Sequence, residues 1–194
     1  GMLDFAYRKL KMGGIFLLTV PSFHYILENK SYYELLRDHI SNFTEESLQS
    51  LTQEAGFSLL ESRTVNRDTI EFVLQKEKKE DLSVFRYTGG KIDVSPLLEN
   101  ERAIQEDVKR HIAALKERGE KIALWGASHQ GLTLLSTTDL QYAVSYIIDS
   151  APFKQGRFSP ASHIRIVSPE HFREEPVEEV LIVAPGYTEE IAGI

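Results

Sequence analysis

The second half of the chain alternates short β-prone runs with segments that have helical patterns, and this alternation constrains the fold most. The runs are strand-sized and are separated by polar loops; they occupy residues 121–125, 144–148, 164–167 and 180–183. A glycine-bounded loop, residues 126–131, follows the first run and opens a helix. Strands that alternate with helices pair in parallel. We therefore predict an α/β fold with a parallel sheet for this half.

The first half predicts fewer strands and ends in a linker. Residues 15–20 form a continuous apolar run, which is typical of a strand buried on both faces. Residues 57–65 and 69–75 alternate and predict two strands joined by a turn. A charge-rich stretch and a Gly-Gly pair then predict a linker. With Gly1 excluded as a remnant of tag removal, the predicted domains are 2–78 and 98–194, with residues 79–97 as the linker.

Composition argues against several classes of function. The 194 residues include no cysteine, which removes disulfides, thiolate zinc sites and thiol nucleophiles and fits a cytoplasmic protein. The net charge of −7 argues against general nucleic-acid binding. No apolar run approaches the roughly 18 residues that cross a bilayer. Because the histidines lack metal-ligand spacing, we predict no metal site. The charge and the short apolar runs predict no nucleic-acid partner and no membrane.

Motifs in both halves resemble one family of enzymes. The sequence LKMGGIF at residues 10–16 resembles the signature that precedes the fifth strand of class I methyltransferases, and residues 44–57 resemble a later helix and strand of that fold. In the second half, WGASHQG at 125–131 and DSAPFKQGR at 149–157 resemble motifs of the sugar C-methyltransferase C-terminal domain. The resemblance implies a partial class I methyltransferase (Rossmann-like) sheet, residues 2–78, followed by a second Rossmann-like α/β domain.

The resemblance also implies an activity. The complete enzyme would use S-adenosylmethionine to methylate a carbon of a nucleotide-bound deoxysugar. Its zinc segment, glycine-rich donor loop and ribose-binding acid have no counterpart ahead of Leu3. We therefore expect that this chain alone neither binds S-adenosylmethionine nor is active. It would then be a split subunit, a truncated gene product or an expressed fragment. The alternative is a non-catalytic nucleotide or sugar-nucleotide binding module.

A catalytic pair follows from the resemblance. The family carries a Glu-His pair before a Ser-x-Phe sequence, and Asp38 and His39 align with it. The histidine is implied to be the general base that removes a proton, so that a sugar carbon can attack the methyl group. Imidazole titrates near neutral pH, and a neighbouring carboxylate can orient it. However, Leu36 replaces a family tyrosine, and a surface histidine bonded to Asp38 is the alternative.

Substrate contacts are predicted for four features of the sequence. The loop at 126–131 opens a helix whose N-terminus can hold a sugar-nucleotide phosphate, although its spacing is not the dinucleotide fingerprint. An acid at the position of a ribose ligand, a nearby basic cluster and an aromatic residue complete the set. The predicted substrate-binding residues are Tyr33, Gly126, Ser128, His129, Gly131, Asp149, Lys154, Gln155 and Arg157. The alternative is a tight strand-to-helix turn and a solvated loop without a ligand.

The apolar run at residues 15–20 also predicts a partner. In the class I methyltransferase order, the fifth strand lies between the fourth and the seventh. Without a fourth strand, this uncharged run is an unprotected sheet edge. We therefore expect a homodimer, formed by antiparallel pairing of two such edges, or association with a missing N-terminal half.

Overall fold

A computed structural model describes residues 1–35, 39–83, 85–184 and 187–193. These residues divide into two compact units. The first unit contains Gly1–Ser31 and the described residues from 39 to 97. The second contains residues 32–35 and the described residues from Leu98 onward. The domain and linker boundaries derived from the sequence remain a prediction.

The first unit is built on an antiparallel three-stranded sheet. Its strands are β1 (Ile15–Pro21), β2 (Phe57–Val65) and β3 (Thr69–Lys76), in the order β1-β3-β2. The two strands joined by a turn are confirmed as a hairpin, which Asn66 and Arg67 close with left-handed φ angles of 53° and 72°. The last strand thus lies beside the first, as the resemblance implies.

One face of this sheet carries the core of the first unit. The helices of the unit are α1 (Met2–Lys9), α2 (Phe23–Glu28) and α3 (Glu45–Glu54). Thr44 caps α3 reciprocally with Ser47, because each side chain accepts a hydrogen bond from the backbone N–H of the other. Apolar residues of the three strands and α3 form the core, among them Leu18, Leu48, Phe57, Ile70, Phe72 and Leu74.

The prediction that residues 15–20 are buried on both faces is wrong for the described chain. The side chains of β1 alternate, so that Leu18 is 5% exposed, whereas Ile15 and Leu17 are 52% and 56% exposed. Only one face of the strand packs against the core. A continuous apolar run could not distinguish this arrangement from a strand covered on both sides.

The second unit has a four-stranded parallel sheet, which confirms the predicted α/β class. Its strands are β4 (Ile122–Trp125), β5 (Val144–Ile148), β6 (Ile166–Val167) and β7 (Glu179–Ile182), in the order β6-β5-β4-β7. The chain therefore proceeds from β4 to β5 and β6 on one side and then returns to the other side of β4. The strands remain parallel, but the order in which they are added reverses between β4 and β7. Open α/β sheets bind ligands at such a switch point.

Helices and short 3-10 turns complete the described elements. They are α4 (Ser95–Arg118), α5 (His129–Thr137), α6 (Pro169–Glu174) and α7 (Thr188–Ala192), with 3-10 turns at Tyr32–Glu34, Lys79–Asp81 and Asp139–Tyr142. Apolar clusters line both faces of the parallel sheet, around Leu124 and Ile147 on one face and Trp125 and Ile148 on the other. In the part of the chain that the structure describes, no helix is long and apolar enough to span a bilayer.

Candidate functional site

A cavity of about 440 Å³ opens at the carboxyl ends of β4, β5 and β7. It lies at the reversal point of the second unit's sheet. Four residues predicted to bind substrate line it, namely Gly126, Ser128, Asp149 and Lys154. The loops after β4 and β5 thus bring these four residues to one cavity, and their contact with substrate stays a prediction.

The two glycines of the loop after β4 are required by backbone packing. Gly126 has a φ of 122°, and a Cβ atom there would lie 2.4 Å from the carbonyl oxygen of Val183. A Cβ atom on Gly131 would lie 2.3 Å from the carbonyl oxygen of Gly126. Real Cβ atoms do not make such contacts, so close packing of the chain explains both glycines. Their predicted contact with substrate remains a prediction.

The Asp149 carboxylate connects the loops that follow β4 and β5. It is buried, and its Oδ2 accepts hydrogen bonds from the backbone N–H of Ala127 and from Lys154 Nζ, both at 2.9 Å. Its Oδ1 accepts from the backbone N–H of Ala151 at 2.9 Å. Three internal donors therefore already use this carboxylate. Its role as a ribose ligand remains a prediction.

The predicted basic cluster is only partly at the cavity. Lys154 Nζ also donates to the carbonyl oxygen of Ala127 at 3.0 Å, so Asp149 and Ala127 use two of its three N–H groups. Gln155 Nε2 donates to the carbonyl oxygen of Asp149 at 3.0 Å and so supports the same loop. Arg157 is exposed and is not among the residues that line the cavity. Lys154 is therefore the predicted cation that lies at this cavity.

The first turn of α5 is bonded to an acid from a distant part of the sequence. Ser128 caps the helix, its Oγ accepting from the backbone N–H of Gly131 at 3.5 Å. His129 Nε2 lies 2.9 Å from Glu34 Oε2, and Gln130 Nε2 donates to the other oxygen of Glu34. Tyr33, the adjacent residue, has its ring edge-on to that of Tyr32, with 5.6 Å between centroids. Neither His129 nor Tyr33 is among the residues that line the cavity.

The predicted catalytic pair is only half described. His39 is exposed, and no hydrogen bond or ion pair to its ring occurs among the described residues. Asp38 and Leu36 lie outside the described residues. The proposed orientation of His39 by Asp38 therefore remains a prediction. No group of three histidine, aspartate or glutamate side chains that could hold a metal ion occurs in the described ranges.

Sequence reasoning missed one wall of the cavity. Tyr187, Glu190 and Ile191, at the start of and within α7, face the loops after β4 and β5. A signal for them was present, because they follow a predicted strand of the same parallel sheet. Carboxyl ends of parallel strands share one edge, so residues after β7 necessarily approach those after β4.

Comparison with known proteins gives a family match and a curated relative. The family model described as the C-methyltransferase C-terminal domain matches residues 60–193. The C-methyltransferase NovU from Streptomyces niveus is 23% identical over 198 residues, which cover 92% of this chain and 46% of NovU. The chain therefore spans about half the length of this relative.

Proposed function

Because the chain belongs to the C-methyltransferase C-terminal domain family, we propose that it is the acceptor-binding part of an enzyme that methylates carbon. The acceptor is a sugar nucleotide or a similar small molecule, and the methyl donor is S-adenosylmethionine. The cavity at the carboxyl ends of β4, β5 and β7 carries this proposal, because it lies within the region matched by the family. The name of the curated relative supports methylation at carbon.

The chemistry of the cavity suits a nucleotide. Val183 and Ile191, which are both half-buried, supply apolar surface, which suits a nucleobase. Lys154 has one N–H group that neither Asp149 nor Ala127 uses, and the N-terminus of α5 begins at Ser128. A cationic donor and a helix N-terminus are complementary to phosphate oxygens. The proposed ligand thus places its base on the apolar wall and its phosphates toward Lys154.

The same cavity does not suit the methyl donor. A class I donor site needs glycines that leave space for the ligand and an acid that is free to accept from a ribose. Here the space beside Gly126 is filled by Val183, and the carboxylate of Asp149 already accepts three hydrogen bonds. We propose that another part of the enzyme holds S-adenosylmethionine, and that His39 takes the proton from the acceptor carbon.

We expect uridine diphosphate or thymidine diphosphate to bind this cavity. Ser150 is exposed and lines it, so Ser150→Trp fills the space and should weaken binding at least about tenfold, by steric exclusion of the ligand. Isothermal titration calorimetry measures this effect. Ser136→Trp, at an exposed position of α5 that does not line the cavity, is the matched control. Absence of binding by both nucleotides, or unchanged binding by Ser150→Trp, contradicts the proposed ligand.

A non-catalytic nucleotide or sugar-nucleotide binding module is the second candidate. It is favoured by the polar contacts that converge in the second unit, whereas the ring of His39 has no hydrogen bond or ion pair among the described residues. Both candidates predict nucleotide binding. Only the enzyme predicts that methyl transfer depends on His39.

We further propose that β1 pairs with a second copy of the chain when the 194 residues are isolated. In the described chain β1 pairs with β3, and the Phe43 segment approaches only Ser22 and Phe23 beyond the end of β1. An apolar strand edge without charge is prone to pair with another strand. The other proposed partner of this edge is the N-terminal half of the enzyme.

Light scattering at micromolar concentration should therefore give twice the 22.1 kDa mass of one chain. Leu17→Lys should convert the dimer to a monomer, because a charge is buried unfavourably at the paired edge. Leu60→Lys is the matched control, since Leu60 is similarly exposed on β2 at the opposite edge of the sheet. A monomeric wild type, or dissociation caused by Leu60→Lys alone, would exclude pairing through β1.

A further inference from the structure

A short segment belongs to the second unit although the chain on either side belongs to the first. It is the 3-10 turn Tyr32–Glu34, which we call the strap. The strap contacts α5, whose residues lie about a hundred positions later in the sequence. Only four residues separate Glu34 from His39 in the sequence, so the strap is a near neighbour of the proposed base along the chain.

The first contact of the strap is a buried phenol. Tyr32 is 7% exposed, and its hydroxyl lies 3.0 Å from Thr137 Oγ1. Thr137 donates its single hydroxyl proton to the carbonyl oxygen of Thr133 at 2.8 Å, so Tyr32 must be the donor to Thr137. Burial raises the pKa of Tyr32, which keeps this donor protonated well into the alkaline range.

The second contact is the carboxylate of Glu34. Its two oxygens bond the side chains of His129 and Gln130, the first two residues of α5. The Glu34 side chain is 25% exposed, so water screens these contacts only in part. Tyr32 reaches Thr137, the last residue of α5, and Glu34 reaches its first turn. Contacts at both ends of one helix oppose rotation as well as translation of the strap.

We propose that Tyr32 and Glu34 are positioning residues that hold the chain leading to His39 by fastening the strap to α5. This inference rests on the proposed role of His39 as the base. α5 begins next to Ser128, which lines the cavity, so the same helix end serves the cavity and the strap. Anchoring one end of a short segment removes most of its conformations before substrate arrives.

Hydrogen-exchange mass spectrometry of the 194-residue chain tests the anchoring. Tyr32→Phe and Glu34→Ala should each speed amide exchange in a peptide spanning residues 35–43 by about two- to tenfold, the range set by one or two lost hydrogen bonds. Tyr32→Phe keeps the buried ring and loses only the hydroxyl, and the Glu34 side chain is partly exposed, so neither substitution leaves a large core cavity. Glu28→Ala is the matched control, because Glu28 faces His24 one helical turn away within the first unit. Unchanged exchange in both strap variants overturns the proposal.

A double-mutant cycle identifies the partner of Glu34. His129→Ala should reproduce part of the effect of Glu34→Ala on residues 35–43, because Gln130 keeps its contact with Glu34, and the double variant should exchange no faster than Glu34→Ala alone. Additive effects would show that Glu34 does not act through His129 and would overturn this part of the anchoring. Faster exchange throughout the second unit would mean general loosening and would also overturn a positioning role.

Methyl-transfer kinetics distinguish positioning from a purely structural role, because only positioning makes the loss of kcat depend on His39. In an enzyme containing this chain, assayed with S-adenosylmethionine and a nucleotide-linked deoxysugar, Glu34→Ala should lower kcat by about ten- to a hundredfold. It should leave KM for S-adenosylmethionine unchanged and add nothing in a His39→Ala background. An equal loss in that background rejects positioning through His39. If His39→Ala itself has no effect, the proposed base fails, while the exchange experiment still decides whether the strap holds.

Discussion

We expect His39→Ala to lower the turnover of methyl transfer by about two to four orders of magnitude in an enzyme that contains this chain, the usual contribution of a general base. In the proposed reaction, the acceptor carbon loses a proton before it attacks the methyl group. His39 is exposed and therefore accessible to an acceptor. Transfer of a labelled methyl group from S-adenosylmethionine to a nucleotide-linked deoxysugar gives the rate directly.

His24→Ala is the matched control for this substitution. His24 is also an exposed histidine of the first unit, 3.7 Å from Glu28 across one turn of α2. Its removal should change turnover by less than about twofold, because the pair is exposed and local. A His39→Ala enzyme within a fewfold of the wild-type rate would reject His39 as the base.

The second large effect concerns the folded state. Asp149→Ala should lower the free energy of unfolding by about 3 kcal/mol or more, which urea denaturation measures. The substitution leaves two backbone N–H groups, of Ala127 and Ala151, without their acceptor. It also removes the carboxylate 2.9 Å from Lys154 Nζ. The Lys154 side chain is 29% exposed, which limits the cost of leaving its charge unpaired.

Two further variants separate these contributions. Asp107→Ala is the control, because Asp107 is an exposed aspartate paired with Arg110 on α4, and its loss should cost less than about 0.5 kcal/mol. Adding Lys154→Met to Asp149→Ala should recover part of the lost stability, since it removes the unpaired ammonium. A loss below about 1 kcal/mol for Asp149→Ala would show that the carboxylate does not hold the two loops together.

Local patterns determined the strands and the class of the fold. β4 and β5 are short apolar runs bounded by loops, and their observed limits fall within one residue of those predicted. The alternation of apolar and polar residues likewise predicted the hairpin of β2 and β3. These elements depend on side-chain periodicity within four to nine residues, which is present in the sequence itself. The motifs after β4 and β5 also located part of the cavity, because residues that follow parallel strands meet at one edge.

Only the tertiary structure decided what those residues contact. The sequence predicted Asp149 to be a ribose ligand, yet three internal donors use its carboxylate. The glycines of the β4 loop were predicted to contact substrate, yet backbone carbonyl oxygens occupy the space beside them. A sequence pattern specifies which polar groups are present, but it does not specify which groups of the folded chain contact them.

The strap shows the same limit most clearly. Tyr32 and Glu34 contact residues 105 and 95 or 96 positions away, and no local periodicity connects positions so far apart. Whether Ile15 and Leu17 are covered was equally undecided by an apolar run, because burial depends on which other layer of the protein packs there. The amino-acid sequence by itself determined the strands, the parallel sheet and the family motifs. The partners of each polar group and the covered face of each strand were decided by tertiary packing, since both depend on contacts between distant segments.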